Sequence, residues 1–220
     1  NPMLAACREA GLPYALFDGA EPNPSIENVE AARKLYVDNG CDGIIAFGGG
    51  SSMDCAKAAG TRVVKPEQSV SQMGGTLQVR RRLPPLFAVP TTAGSGSETS
   101  IAAVVTDRAA HRKYAIQDPC LVPCCAVLDP ELTLGLPPHV TSTTGMDALT
   151  HAVEAYTNRM APRYTRRLAE QAVRLIFNNL EKAYVDGSDL SARQNLLEAS
   201  FYAGVAFTRA CVGNVHALSH

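Results

Sequence analysis

The stretch "IIAFGGGSSMDCAK" (44–57) limits the possible folds more than any other part of the chain. "GIIAF" (43–47) is a continuous apolar run of the kind that fills a strand buried on both faces of a parallel sheet. Three glycines follow at once, then a helical pattern over 52–60. A buried strand, a tight turn and a helix in that order commit this half of the chain to an α/β layer. The glycines permit two readings. They let the backbone take positive φ and let a ligand approach the peptide groups, while the next helix offers free N–H groups to a phosphate. They also make a plain structural turn. No Gly-Lys-Ser/Thr follows, so this is not a P-loop, and the GxGxxG fingerprint is absent. Asp54 reads as an acid in the first helical turn, and Lys57 as a surface lysine.

Other segments continue the alternation. "MLAACREAG" is a short helix ending in a glycine suited to a C-cap. "YALF" is a strand candidate. "SIENVEAARKLYVDNG" has Ser25 as N-cap, apolar residues at helical spacing and Asn39-Gly40 as its stop. "LFAVP" and "IAAVV" are further strands; "KYAI" and "CAVLD" are weaker ones. The character changes at "LGLPPHVTS" (134–142), where Pro137-Pro138 breaks what precedes it. Beyond it lie only helical patterns, over 143–158, about 163–184, about 190–208 and 212–220. Two regions are expected: α/β over 1–137, with a mainly parallel sheet, and all-α over 138–220. The chain starts without an initiator methionine and stops at His220 inside an apparent helix, so it reads as an internal piece of a longer protein.

Apolar residues make up 46% and charged residues 19% of the 220, with a formal net charge of −1. That balance belongs to a folded protein and argues against nucleic acid or an anionic membrane as the main partner. The one dense basic run, "VRRRL" (79–83), reads as a solvated loop. The seven cysteines are odd in number and lack zinc-knuckle spacing. They are expected to be free thiols, mostly buried, in a reducing compartment. No apolar run approaches membrane-spanning length and no signal peptide is visible, so a cytoplasmic location is expected.

Two further features carry chemistry. "VPTTAGSGSETS" (89–100) is a second strand-end loop of small and hydroxyl residues. It reads either as a ligand-binding loop at the carboxyl edge of the sheet or as a polar connection. In "DALTHAVEAY" (147–156), Asp147 and His151 are four apart and share a helix face. "GNVHALSH" (213–220) repeats that spacing with His216 and His220. One such pair is often an ordinary intrahelical contact. Two pairs on facing helices can converge on one ion, and a carboxylate with imidazoles suits Zn²⁺ or Fe²⁺. Glu154 reads as a solvated surface acid, with an outer-partner role as the alternative.

Taken in order, "PNPSIENVEAA", "GGGSSMDCAK", "PTTAGSGSETS", "LDPELTLGLPP", "TTGMDALTHAVEAY" and "GVAFTRACVGNVHALSH" resemble the iron-containing (group III) alcohol dehydrogenase family. The resemblance covers nearly the whole chain from residue 22. It implies a truncated dehydroquinate synthase-like architecture: a dinucleotide-binding α/β domain (1–137) and a helical metal domain (138–220), with the active site in the cleft between. It implies that Gly49, Gly50, Ser51 and Ser52 surround a cofactor pyrophosphate, and that Thr91, Thr92, Ser95 and Lys113 also contact NAD(P). Ser95 stands where a threonine is more usual. Asp147, His151 and His216 match metal ligands for Fe²⁺ or Zn²⁺, and His220 matches a catalytic histidine near nicotinamide and substrate. A fourth ligand, another histidine, is expected past residue 220, and a residue separating NAD from NADP before residue 1. The implied reaction is hydride transfer between a small primary alcohol or aldehyde and NAD(P), in a homo-oligomer (dimer or larger). Rival expectations are a glycerol dehydrogenase-like or maleylacetate reductase-like member, a metal-dependent hydrolase, or a non-catalytic nucleotide-binding assembly module.

Overall fold

The computed structural model describes residues 2–219; Asn1 and His220 fall outside them. In chain order the elements are α1 (Pro2–Glu9), α2 (Ile26–Asp38), β1 (Ile44–Gly48), α3 (Gly50–Val64), α4 (Val70–Met73), β2 (Gly75–Thr76), β3 (Leu86–Pro90), β4 (Ala102–Asp107), β5 (Arg112–Gln117) and β6 (Cys125–Ala126). Four helices follow: α5 (Pro138–Thr157), α6 (Arg163–Val185), α7 (Leu190–Ala210) and α8 (Asn214–Ser219). A parallel-sheet region thus precedes an all-helical one.

One sheet has the order β1-β3-β6. Its pairing rises together along the strands: Ile44 N–H donates to the Pro85 carbonyl and Thr91 N–H to that of Gly48, at 2.8 and 3.0 Å. Cys124 and Val127 repeat the pattern on Leu86 and Ala88, so all three strands are parallel. The second sheet, β2-β5-β4, is mixed, because β4 and β5 form an antiparallel hairpin from Ala102↔Gln117 to Asp107↔Arg112.

The chain separates into two compact units. The first comprises the residues up to Phe47, Ser51–Phe87 and Ala102–Cys124. Here Ser25 caps α2 as expected: its hydroxyl accepts from Asn28 N–H, and the Asn28 side chain accepts from Ser25 N–H. Val29 of α2, Cys55, Ala58 and Ala59 of α3, Val105 and Ile116 form its core. α3 begins at Gly50 rather than near 52, because Gly50 is already helical directly after the strand. Asp54 therefore sits in the second turn, where its carboxylate accepts Val104 N–H at 3.0 Å and ties α3 to β4. Lys57 is not a surface lysine. It is fully buried, its ammonium donating to the Ala102 carbonyl at 3.0 Å.

Asp118, 3% exposed, accepts Arg80 N–H at 2.8 Å and Cys120 N–H at 3.2 Å. Burial pushes its carboxyl up, but these amide donors outweigh burial and hold it below the usual carboxylate range. Asp118→Ala leaves both amides unsatisfied and is expected to lower stability by about 1–3 kcal/mol. A lowered folded pKa makes the wild-type contribution complete above the ordinary carboxylate value and lost as pH falls through the folded one. Chemical denaturation of both proteins at neutral and acid pH checks this: the gap must close at low pH.

Three expectations need correction. "YALF" forms no strand: among the described residues it has no ladder partner, Tyr14 and Leu16 lie exposed, and the Tyr14 hydroxyl accepts from Arg8 Nε. "CAVLD" shrinks to a two-residue strand. The cysteines are all free, but only Cys7 and Cys55 are buried, and Cys124, Cys125 and Cys211 are exposed.

The second unit comprises Gly48–Gly50, Ala88–Ile101 and the chain from Cys125 onward. It is more than the helical half of the chain, because both strand-end loops cluster with the helices. Pro138, at the first position of α5, lacks only an N–H that no helix would use, so α5 starts five residues earlier than its apolar pattern suggests. α5, α6 and α7 pack pairwise through alanines, among them Ala148, Ala152, Ala172, Ala199 and Ala203. Small side chains bring helix axes close. None of the described helices is long and apolar enough to cross a membrane.

Candidate metal and cofactor site

Gly48 has φ 146°, a conformation that favours glycine, and hands the chain straight from β1 into α3. Thr91 N–H, at the end of β3, donates to its carbonyl. A Cβ on Gly49 would lie 3.4 Å from the Thr92 side chain, and one on Gly50 would lie 2.8 Å from Ser95 Oγ. The two strand-end loops therefore touch, bringing Gly49, Gly50, Thr91, Thr92 and Ser95 together. In the other unit, Ser51 Oγ accepts Asn23 N–H at 3.2 Å, and Lys113 Nζ donates to Asn23 Oδ1 at 3.0 Å. Asn23, with φ 54°, thereby links two of the expected cofactor residues. Ser52 lies in the first turn of α3.

Much of "AGSGSETS" is occupied by packing. A Cβ on Gly94 would lie 2.6 Å from Thr144 Cβ, and one on Gly96 2.6 Å from Gly204 Cα. Ser97, Glu98, Thr99 and Ser100 are buried. Half of the loop is thus mortar against α5 and α7 rather than a free ligand surface.

Asp147 and His151 project from one face of α5, and His216 comes from α8. Asp147 Oδ1 lies 3.9 Å from His151 Nε2 and 3.5 Å from His216 Nε2. One donor atom from each residue falls within 4.8 Å of the other two. The two imidazoles stack at 4.3 Å between centroids, and Phe207 stacks on the far face of His151 at the same distance. Burial pushes the His151 imidazole down to about 4, against the pull of Asp147, so it is neutral at neutral pH. Its Nδ1 is buried without a hydrogen-bond partner. A carboxylate oxygen and two imidazole nitrogens form a donor set that fits a divalent ion of borderline softness.

Glu154 lies one turn further along that face, and it is not a solvated acid. Its side chain is 8% exposed. It accepts Gly213 N–H and Val215 N–H at 2.7 Å each and meets His216 Nδ1 at 2.6 Å. Burial pushes its carboxyl up; Gly213 N–H, the His216 contact and Val215 N–H together overcome this and hold it below the usual range.

The iron-containing alcohol dehydrogenase family matches residues 1–130, and its Fe-containing C-terminal counterpart matches residues 141–220. The chain belongs to the iron-containing alcohol dehydrogenase family. It is 44% identical to a probable alcohol dehydrogenase, EutG, of Escherichia coli (strain K12), over 96% of this chain and 53% of that protein. It is 41% identical to the NAD-dependent methanol dehydrogenase of Bacillus methanolicus, over 97% of this chain and 56% of that protein. A crystal structure of 1,3-propanediol oxidoreductase superposes with a TM-score of 0.95 at 42% identity, covering 99% of this chain and 56% of that one. The chain thus spans about half the length of the curated relatives it matches.

Family motifs point to Asp147, His151 and His216; the sequence offers Glu154 as an outer partner only as the second alternative, and gives no signal for Phe207. The signal for Glu154 was present: Asp147, His151 and Glu154 are spaced i, i+4, i+7 on one helix stripe. The expected catalytic His220 lies outside the described residues.

His151 gives a pH prediction. Its folded pKa lies below the unfolded histidine value, so the unfolded chain takes up a proton first as pH falls. The metal-free chain is expected to lose on the order of 3 kcal/mol through this group as pH falls from about 6.5 to about 4. His151→Phe should flatten that limb in a series of thermal melts.

Proposed function

We propose that the whole protein is a metal-dependent oxidoreductase that moves a hydride between a primary alcohol or aldehyde and NAD(P). The observation that carries this is the convergence of Asp147, His151 and His216 in a member of this family. A divalent ion, Fe²⁺ or Zn²⁺, held by those three donors would polarise the substrate oxygen. The contact of the two strand-end loops, Gly49 and Gly50 against Thr92 and Ser95, supports this reading, in which Gly49, Gly50, Ser51 and Ser52 offer backbone N–H groups to a pyrophosphate. Thr91 and Lys113 complete the cofactor contacts in this reading, and His220 relays a proton near the reacting carbon. Residues 1–137 then serve as the dinucleotide-binding domain and 138–220 as part of the metal domain. The relatives, a methanol dehydrogenase and a propanediol oxidoreductase among them, favour small alcohols. A cytoplasmic homo-oligomer fits this role.

The test is anaerobic turnover of the full-length protein with a series of primary alcohols, followed by NADH or NADPH formation. Activity is expected to vanish on chelation and return with Fe²⁺ or Zn²⁺. Turnover indifferent to chelator overturns the metal role, and reduction of neither nucleotide overturns the reaction.

A further inference from the structure

The His216 imidazole has two nitrogens with different neighbours. Nε2 faces Asp147 Oδ1 at 3.5 Å, while Nδ1 meets Glu154 Oε2 at 2.6 Å. Both neighbours are carboxylates that accept, but only the Glu154 contact is of hydrogen-bond length, so the proton of a neutral His216 belongs on Nδ1 and the Nε2 lone pair is left toward Asp147 and His151. Resting on the metal reading above, we propose that Glu154 is a positioning residue: its carboxylate fixes the tautomer and orientation of His216 so that Nε2 is presented as a ligand.

The surroundings of Glu154 support this independently of the imidazole. The same carboxylate also accepts Gly213 N–H and Val215 N–H, at 2.7 Å each. Those amides flank the entry to α8, so one side chain of α5 holds both the segment carrying His216 and the ring itself. Position 213 leaves space for it, since a Cβ there would lie 3.0 Å from Glu154 Oε1 and 3.1 Å from its Cδ. On the opposite side the His151–Phe207 stack closes against the His216 ring, which limits its rotation. A half-turn about χ2 would put Cδ2 in the place of Nδ1 and Cε1 in that of Nε2, forfeiting the carboxylate contact and withdrawing the ligand nitrogen. A carboxylate behind a ligating imidazole also raises its basicity, and loss of such a partner typically weakens metal binding about 10–100-fold.

Glu154→Gln discriminates sharply. The amide keeps size and shape, but one end becomes a donor. Either that NH₂ takes the Oε2 place, facing both His216 and the Gly213 amide and driving the imidazole proton to Nε2, or it takes the Oε1 place and leaves the Val215 amide without an acceptor. Two measurements on the full-length protein decide. Long-range nitrogen–proton NMR of the metal-free protein reads the His216 tautomer: Nδ1–H is expected in the unmutated protein, and a gain of Nε2–H in Glu154→Gln. Titration with Co²⁺, followed by its visible absorption bands, is expected to show affinity reduced about 10–100-fold in the variant. An Nε2–H tautomer in the unmutated chain overturns the proposal without any variant, so a misfolded Glu154→Gln does not rescue it. Equal Co²⁺ affinity in the two proteins also overturns it while leaving the metal site standing. Failure of the unmutated full-length protein to bind Co²⁺ overturns the metal reading, and with it the ligand-presenting role.

Discussion

Asp147→Ala is expected to abolish divalent-metal binding and, in the full-length protein, turnover with it. Asp147 supplies the only negative charge among the three converging donors, and its Oδ1 is the atom both imidazole nitrogens approach, at 3.9 and 3.5 Å. Without it two stacked imidazoles remain, and no carboxylate ligand among the three offsets the ion's loss of water. The affinity loss should exceed the roughly 10–100-fold typical of an outer partner. Folding should barely change. The Asp147 side chain is 44% exposed, and substitutions at such sites usually stay within about 0.5 kcal/mol. Metal content after dialysis and a thermal melt of the metal-free protein therefore give a clean pair: metal lost, melting kept. Asp147→Asn, which retains the oxygen but drops the charge, should fall between. Retention of both metal and activity in Asp147→Ala would remove the triad from the proposed mechanism.

Some of this was legible before any coordinates. Helices with a long apolar stripe were, because α6 and α7 carry their periodicity, and α7 its Asp189 cap, within a single segment. So was the strand–glycine–helix unit, since an apolar run followed by three glycines has few other uses. What escaped depended on partners distant in sequence. "YALF" has strand composition but no neighbouring strand among the described residues, and composition does not report neighbours. Lys57 looks solvent-facing until the Ala102 carbonyl, 45 residues away, is brought to its ammonium. Glu154 looks like a surface acid until α8 folds back and places three donors on it from 59 to 62 residues away. The glycines of "AGSGSETS" were ambiguous for the same reason: a glycine that admits a ligand and one that admits another backbone have identical local chemistry.

That last ambiguity leads to Gly204, on α7. A Cβ there would lie 2.9 Å from Gly96 Cα and 3.0 Å from the Gly96 carbonyl, with Thr99 Oγ1 nearer still. The loop cannot retreat. Gly96 holds φ +60°, and its carbonyl accepts from both Thr99 N–H at 3.0 Å and the Thr99 hydroxyl at 2.9 Å. The Thr99 hydroxyl is tied to that carbonyl, and beside it backbone meets backbone, so little can move aside. Gly204→Ala is therefore expected to destabilise by about 1–3 kcal/mol despite alanine's better helix propensity, the usual range for overpacking. For a domain of this size that means a melting temperature lower by roughly 2–12 °C. The same loop carries Thr91, Thr92 and Ser95, so displacing it should weaken NADH binding as well. Gly60→Ala is the matched control, since a Cβ there meets only side chains at 3.4 Å or more. Gly204→Ala melting with the unmutated chain would mean that α7 and this loop are not in contact, and the Ser95 face of the cofactor site would lose its support.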